Sequence, residues 1–368
     1  MLQSQYLKGP PKEYKGQYLG YSVSEFNAGR FLDHKGTHHI TQKMHGPIAV
    51  IKKLFYMVLA VFGVPVNLLT IVILARGKCG LSICTARYLV AMAAADLMAI
   101  ITEVILRKLR FYYCPVCFLD ITPVCSAIYF LARSALDCSV WFTVTFTFDR
   151  FVIICCRNLK TNYCTGKTAA MVLTITGILF CAKNIPFYFV YEPRKIFDNV
   201  PWSCSTKSSF YTEPGWLGFD WLDTILTPLL PFSTIIMLNA LTVRHILVAS
   251  RVRKALTGQG KRHQHRDPEM ESRRKSVILL FAISGSFILL WLNIIIDFIW
   301  YRFRGTGDIS YNVSAYILGD VALMLKNLSC CSNIFIYVVT QSMFRKQIKS
   351  AVTFPFTRII QFINEQRN

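Results

Sequence analysis

Asp149 and Arg150 are an acid and a base side by side near the end of the apolar run SVWFTVTFTFDRFVIICC, Ser139 to Cys156. A charge held in hydrocarbon costs at least a few kcal/mol, so such a pair needs solvent or a partner. Two chemistries fit. Either the charges snorkel from a helix end to the headgroups, or Asp149 holds Arg150 in one state and releases it in another. Asp96, inside the apolar string LVAMAAADL, is an acid at mid-membrane depth. It marks a functional position by default; the alternative is a protonated carboxyl hydrogen-bonded within a bundle. Arg133, Asp137, Asp223, Asp297, Asp320 and Lys326 are further ionisable residues in or beside apolar runs. Such groups rarely face lipid, so they face a cavity or one another. Arg133 and Asp137, four apart, have the spacing of a pair on one helix face. Mixed charge suits a zwitterionic amino acid, or a short peptide, whose carboxylate meets Arg133 or Lys326. No nucleophile with its base and no metal triad stands out, which argues against an enzyme.

The elements that must position these residues are membrane spans. Of 368 residues 53% are hydrophobic and only 17% charged, the balance of a membrane protein rather than a soluble domain. Seven apolar segments follow a polar start: Leu54 to Ala75, Tyr88 to Leu106, Val124 to Cys156, Thr168 to Tyr191, Trp221 to Val248, Val277 to Trp300 and Val313 to Thr340. Each is near or above the ~20 residues that cross about 30 Å of hydrocarbon. They are expected to be helices, because a spanning segment must satisfy its own backbone hydrogen bonds and strand-like alternation is absent. The fold class expected is therefore an all-α membrane protein, a seven-helix bundle with a short amphipathic C-terminal helix. Residues 1–49 are read as an extracellular tail, 50–340 as the transmembrane domain and 341–368 as a cytoplasmic helix and tail. No repeated half of the kind common in transporters is visible.

The net charge of +21 is compatible with nucleic acid, but the bases cluster between apolar runs, as they do in cytoplasmic loops facing membrane lipids. Arg244 to Lys275, between the fifth and sixth segments, is the most basic loop; Arg244, Arg251, Arg253, Lys254, Arg273, Arg274 and Lys275 flank it. That side is expected in the cytoplasm, with the N-terminus outside and the protein in the plasma membrane. Lys52 and Lys53, just before the first span, oppose this assignment. After the last span, QSMFRKQIKSAV places Met343, Phe344, Ile348 and Val352 at helical spacing opposite basic residues, the pattern of a helix lying on the inner leaflet. His34, His38, His39 and His45 in the tail read as solvated histidines. Cys114 and Cys117 form a CxxC that is either bridged or two free thiols.

With these positions in hand, the chain resembles the class A, rhodopsin-like G-protein-coupled receptors over residues 50 to 350. The likeness is carried by GVPVN ending in Asn67, by Asp96, by Cys125 upstream of Arg150, and by the DRF of Asp149 to Phe151 in the place of the family's DRY. It continues through Pro231, Phe287, Trp291, and the NIFIY of Asn333 to Tyr337 in the place of NPxxY. SVWFTVTFTFDRFVIICC, LLPFSTIIMLN and GDVALMLKNLSCCSNIFIY look most like the orphan group called probable G-protein coupled receptors 139 and 142.

The resemblance implies a receptor for an extracellular small molecule or short peptide that activates a heterotrimeric G protein. It implies a Cys125–Cys204 disulfide, and a relay through Trp291, Phe287, Val140 and Pro231 to a switch at Asp149, Arg150, Asn333 and Tyr337. It also implies a polar cavity in which Asp96, Ser139, Ser329 and Asn333 coordinate a sodium ion; no other cofactor is expected. Departures accompany it. Arg273 stands where many members carry an acid that pairs with the helix-three arginine, so raised ligand-independent signalling is expected. Asn293 replaces the helix-six proline, Thr176 the helix-four tryptophan, and Ala132 the acid of amine receptors. Ile294 stands where some members of the orphan group carry an arginine in the ligand pocket. Lys326 lies one residue from the place of the retinal-bearing lysine of opsins, about 100° round the helix. A retinal-binding receptor and a seven-span transporter or channel are the rival readings. Asn312-Val-Ser is a glycosylation sequon close to the membrane.

Overall fold

A computed structural model describes residues 38–114, 117–156, 164–257, 268–303, 313–351 and 353; for 38–47, 253–257, 268–273, 298, 300–303 and 313–316 it describes the backbone alone. Seven of its helices are long and apolar enough to cross a membrane. They are α1 (His38–Ala75), α2 (Ile83–Ala99, widening into a π-helix over Ile100–Leu109), α3 (Thr122–Cys155) and α4 (Gly166–Asn184), followed by α5 (Pro214–Thr224 and Leu230–Thr257, joined through Ile225–Leu229), α6 (Pro268–Phe303) and α7 (Val313–Thr340). An eighth helix, α8, occupies 342–351.

Local chemistry sets several of the boundaries. Ser82 and Thr165 cap α2 and α4, each hydroxyl accepting the N–H three residues on, at 3.2 and 3.1 Å. Pro123 sits in the first turn of α3, where its missing N–H costs nothing. The polar tail was expected to run to residue 49, but α1 begins at His38, so that boundary falls within a helix. Asn293 interrupts nothing: α6 runs from Pro268 to Phe303 as one helix. In α5 the helix is broken at Thr227 (φ −153°, ψ 104°), beside Pro228 and one turn before Pro231.

One element escaped the all-helical expectation. β1 (Tyr191–Phe197) and β2 (Val200–Thr206) pair antiparallel, with Phe197 opposite Val200. Asp198 and Asn199 make the two-residue turn at φ 48° and 61°, the left-handed pair that a tight hairpin demands and that Asp and Asn tolerate. Cys204 on β2 is disulfide-bonded to Cys125 on α3, and Ile121 bridges to Trp202. The hairpin is thus pinned over one end of the bundle.

Gly63 shows how closely the helices approach. A Cβ there would stand 2.6 Å from Cys331 Sγ and 2.7 Å from Ile100 Cδ1, so α1 meets α2 and α7 across a bare backbone. Asn67 then donates to Gly63 O and Cys330 O at 3.0 and 2.9 Å, tying α1 to α7. At the other end of α7, Phe344 of α8 is fully buried and meets Tyr337 edge-on. Arg345 donates to the terminal carbonyls of Val338 and Val339. α8 therefore docks on the bundle through Phe344 and Ile348 while Met343 stays exposed; Val352 lies outside the described residues.

Candidate functional site

The Asp149–Arg150 pair is buried, with side-chain exposures of 1% and 5%, so the charges turn inward rather than snorkel. Asp149 Oδ2 accepts from Arg150 Nε and Nη2, and its Oδ1 accepts from the Cys84 thiol of α2 at 3.2 Å. Arg150 Nη1 reaches across to Ser276 Oγ of α6 at 3.4 Å. The side chain of Arg273 lies outside the described residues; among those described, the cross-helix contact is made by the neutral hydroxyl of Ser276, three residues on. Tyr337 is buried, and its hydroxyl finds no hydrogen-bond partner among the described residues.

Midway along the bundle, Asp96 gathers the polar groups assigned to it. Ser139 donates to Oδ1 at 2.5 Å and Asn333 to Oδ2 at 2.8 Å. Ser329 is one step removed: its hydroxyl accepts from Trp291 Nε1 at 3.2 Å and donates to Lys326 O at 2.6 Å. Ser139, Ser329 and Asn333 line one small cavity together with Val140, Phe287 and Trp291. Phe287 and Trp291 stack at 5.2 Å and pack with Val140, Val144 and Ile235. Pro231 is buried but stands outside that cluster; its α5 neighbours Phe232 and Ile235 pack into it.

At the hairpin end four of these ionisable residues, Arg133, Asp137, Asp223 and Asp320, are in ion pairs, though not as spacing suggested. Arg133 does not pair with Asp137. It bonds Asp223 of α5 at 3.1 Å and lies over the Phe187 ring at 3.8 Å. Asp137 instead accepts from Lys183 at 2.6 Å and Asn184 Nδ2 at 2.7 Å, both of α4, and Lys183 also reaches Asp223 at 2.5 Å. Two cations and two anions thus form one network linking α3, α4 and α5. Asp320 pairs with Lys52. Asp297 on α6 faces α7 at Gly319, where a Cβ would stand 3.7 Å from both carboxylate oxygens. Lys326 lies near Glu103, Arg107 and Arg133, with Arg107 bonded to Glu103 at 2.6 Å and stacked over Tyr129. Asn312 lies outside the described residues.

Sequence reasoning missed Lys183, Asn184, Glu103 and Arg107. Glu103 and Arg107 were legible as an i,i+4 pair inside an apolar run; Lys183 offered only its charge within the fourth span.

Seven apolar helices, a buried acid–arginine pair at one end and a hairpin-capped layer of paired charges at the other define a membrane receptor bundle. Residues 66–337 match the model of the 7 transmembrane receptor (rhodopsin family), and the chain belongs to that family. It is a multi-pass membrane receptor of the plasma membrane, not an enzyme. Among curated proteins it is similar to the FMRFamide receptor of Drosophila melanogaster, 23% identical over 307 residues covering 78% of this chain. The chain spans about half the length of that relative, 51%.

Proposed function

We propose that the protein senses a short extracellular peptide at the hairpin end of the bundle and activates a heterotrimeric G protein at the Arg150 end, with its N-terminus outside the cell. The observation that carries this is the four-charge network of Arg133, Asp137, Lys183 and Asp223. It joins three helices through groups that a peptide's own charges and carbonyls can exchange with, at the end that the disulfide-pinned hairpin covers. A ligand that binds one arrangement of this network better than the other shifts α5 against α3. The packed set Val140, Ile235, Phe287 and Trp291 lies directly below. The likeness to the FMRFamide receptor of Drosophila melanogaster favours a peptide over an amine, as does Ala132 in the place of an acid. The affiliation with the probable 139 and 142 orphan receptors rests on the three strings quoted above.

A sodium ion fits the polar cavity on the chemistry of its donors. Asp96 brings a carboxylate, and Ser139, Ser329 and Asn333 each bring an uncharged oxygen within one hydrogen bond of it or of the cavity wall. When bound, the ion would neutralise Asp96 and favour the resting arrangement. The test of the whole reading is nucleotide exchange on a panel of Gα subunits, using full-length receptor in membranes and a library of short free-acid and amidated peptides. Exchange driven by a peptide and abolished by Arg150→Ala supports it. Surface-expressed receptor that gives no exchange with any Gα, yet carries ion or solute flux, overturns it in favour of a transporter.

A further inference from the structure

We propose that Cys114 and Cys117 form a second disulfide, closing the turn between α2 and α3 beside the Cys125–Cys204 bridge. Cys114 directly follows Arg110–Tyr113, the helical turn that continues α2, its N–H bonded to Arg110 O at 2.8 Å. Cys117 opens the short 3₁₀ turn Phe118–Asp120 that leads into α3. Its thiol turns back on the first cysteine, Sγ standing 3.4 Å from Cys114 O; both thiols are free in this structure. The same turn is already held at both shoulders. Arg110 pairs with Asp120 at 2.6 Å and donates to Leu119 O at 2.7 Å, while Ile121 bridges to Trp202 on β2.

Compartment supplies the driving force. This end of the bundle carries the Cys125–Cys204 disulfide, so it matures on the oxidising side of the membrane, where neighbouring thiols are oxidised and stay so. Exposure sets the order of events. Cys114 is exposed and Cys117 half-buried, and burial pushes the Cys117 thiol up to about 11, so Cys114 is the entry point. Its thiolate attacks a small-molecule or oxidoreductase disulfide, forming a mixed disulfide and releasing one thiol. Cys117, once deprotonated, attacks the Cys114 sulfur and expels the second thiol. Two protein thiols lose two electrons and two protons, and one oxidant disulfide becomes two thiols.

The test uses full-length receptor purified from cells without reductant and alkylated before digestion. The peptide containing both cysteines is expected unalkylated and lighter by two hydrogen atoms than its reduced form. Cys114→Ser, Cys117→Ser and the double variant are expected to lower the thermal midpoint by one and the same shift, because a disulfide is lost equally by removing either end or both. A doubly alkylated peptide, a peptide bridged to a different cysteine, or single-variant shifts that add in the double variant would each overturn the proposal.

Discussion

Lys52 of α1 donates to both carboxylate oxygens of Asp320 on α7, at 3.0 and 3.1 Å. The two side chains are 12% and 3% exposed. Lys52 is one of the two lysines whose position opposes the charge bias of the loops. Held against a buried acid, it belongs to an ion pair within the bundle rather than to a loop, and its neighbour Lys53 lies 4.8 Å over the Tyr113 ring. The anomaly in the topology pattern is a contact between helices.

Removing one partner of this pair takes away a hydrogen-bonded opposite charge from a largely buried group, a loss of up to about 3–5 kcal/mol. Lys52→Ala or Asp320→Ala is expected to reduce surface expression and thermal stability sharply, and the swapped Lys52→Asp, Asp320→Lys receptor to recover part of both. Single variants that melt like the wild type would show the pair to be dispensable.

Arg150 is tethered to α6 only through the hydroxyl of Ser276 among the described residues. A hydrogen bond from a charged group contributes at most about 1.5–3 kcal/mol, and at 3.4 Å this one is long, so it holds α6 less firmly than an ion pair would. Basal signalling above that of mock-transfected cells is therefore expected. Ser276→Ala should raise it by a few-fold, and Ser276→Glu, which supplies a counter-charge, should lower it. Equal basal reporter activity in all three receptors would refute the tether.

Asp96→Asn keeps the hydrogen-bonding shape of the central site and removes the charge that would hold a cation. Agonist affinity measured in sodium and in a bulky organic cation should differ for the wild type and coincide for the variant. Identical salt curves for both proteins would exclude the ion.

Lys183 is the cation that Asp137 and Asp223 share. Lys183→Met leaves Asp223 with Arg133 but buried Asp137 with Asn184 and no bonded cation, and is expected to reduce surface expression sharply, whereas Lys183→Arg should retain it. A Met variant that reaches the surface and melts normally would mean that the network is not structural.

The Tyr337 hydroxyl is buried without a hydrogen-bond partner among the described residues, a penalty of about 1–3 kcal/mol in this arrangement. Tyr337→Phe should leave the thermal midpoint unchanged or raise it, and should reduce stimulated exchange if the hydroxyl is satisfied only in the signalling arrangement. A lowered midpoint would show that it is already bonded.

The seven spans were legible because hydrocarbon imposes one rule on every segment that crosses it, and each helix satisfies that rule alone. Asp96 with Ser139 and Asn333, and Phe287 with Trp291, were legible through their family landmarks. The hairpin was overlooked although its Asp198-Asn199 turn is a plain signal, since a short exposed strand pair contributes little to apolar periodicity. The partner of Arg133 was misjudged for a different reason. Four-residue spacing allows a contact with Asp137, but Lys183 and Asn184 from α4 compete for that carboxylate, and a neighbouring helix leaves no trace in local spacing.

By itself the amino-acid order determined which stretches enter the membrane, where charge is scarce enough to matter, and which end of the third span carries the acid–arginine pair. Only the tertiary structure decided which charges neutralise which, that Ser276 rather than an acid meets Arg150, that α5 breaks at Thr227 ahead of Pro231, and that α8 docks on the bundle through Phe344. Insertion depends on each segment's own transfer free energy, which is local and additive. Pairing depends on distances between helices far apart in the chain, where a single competing donor changes the outcome.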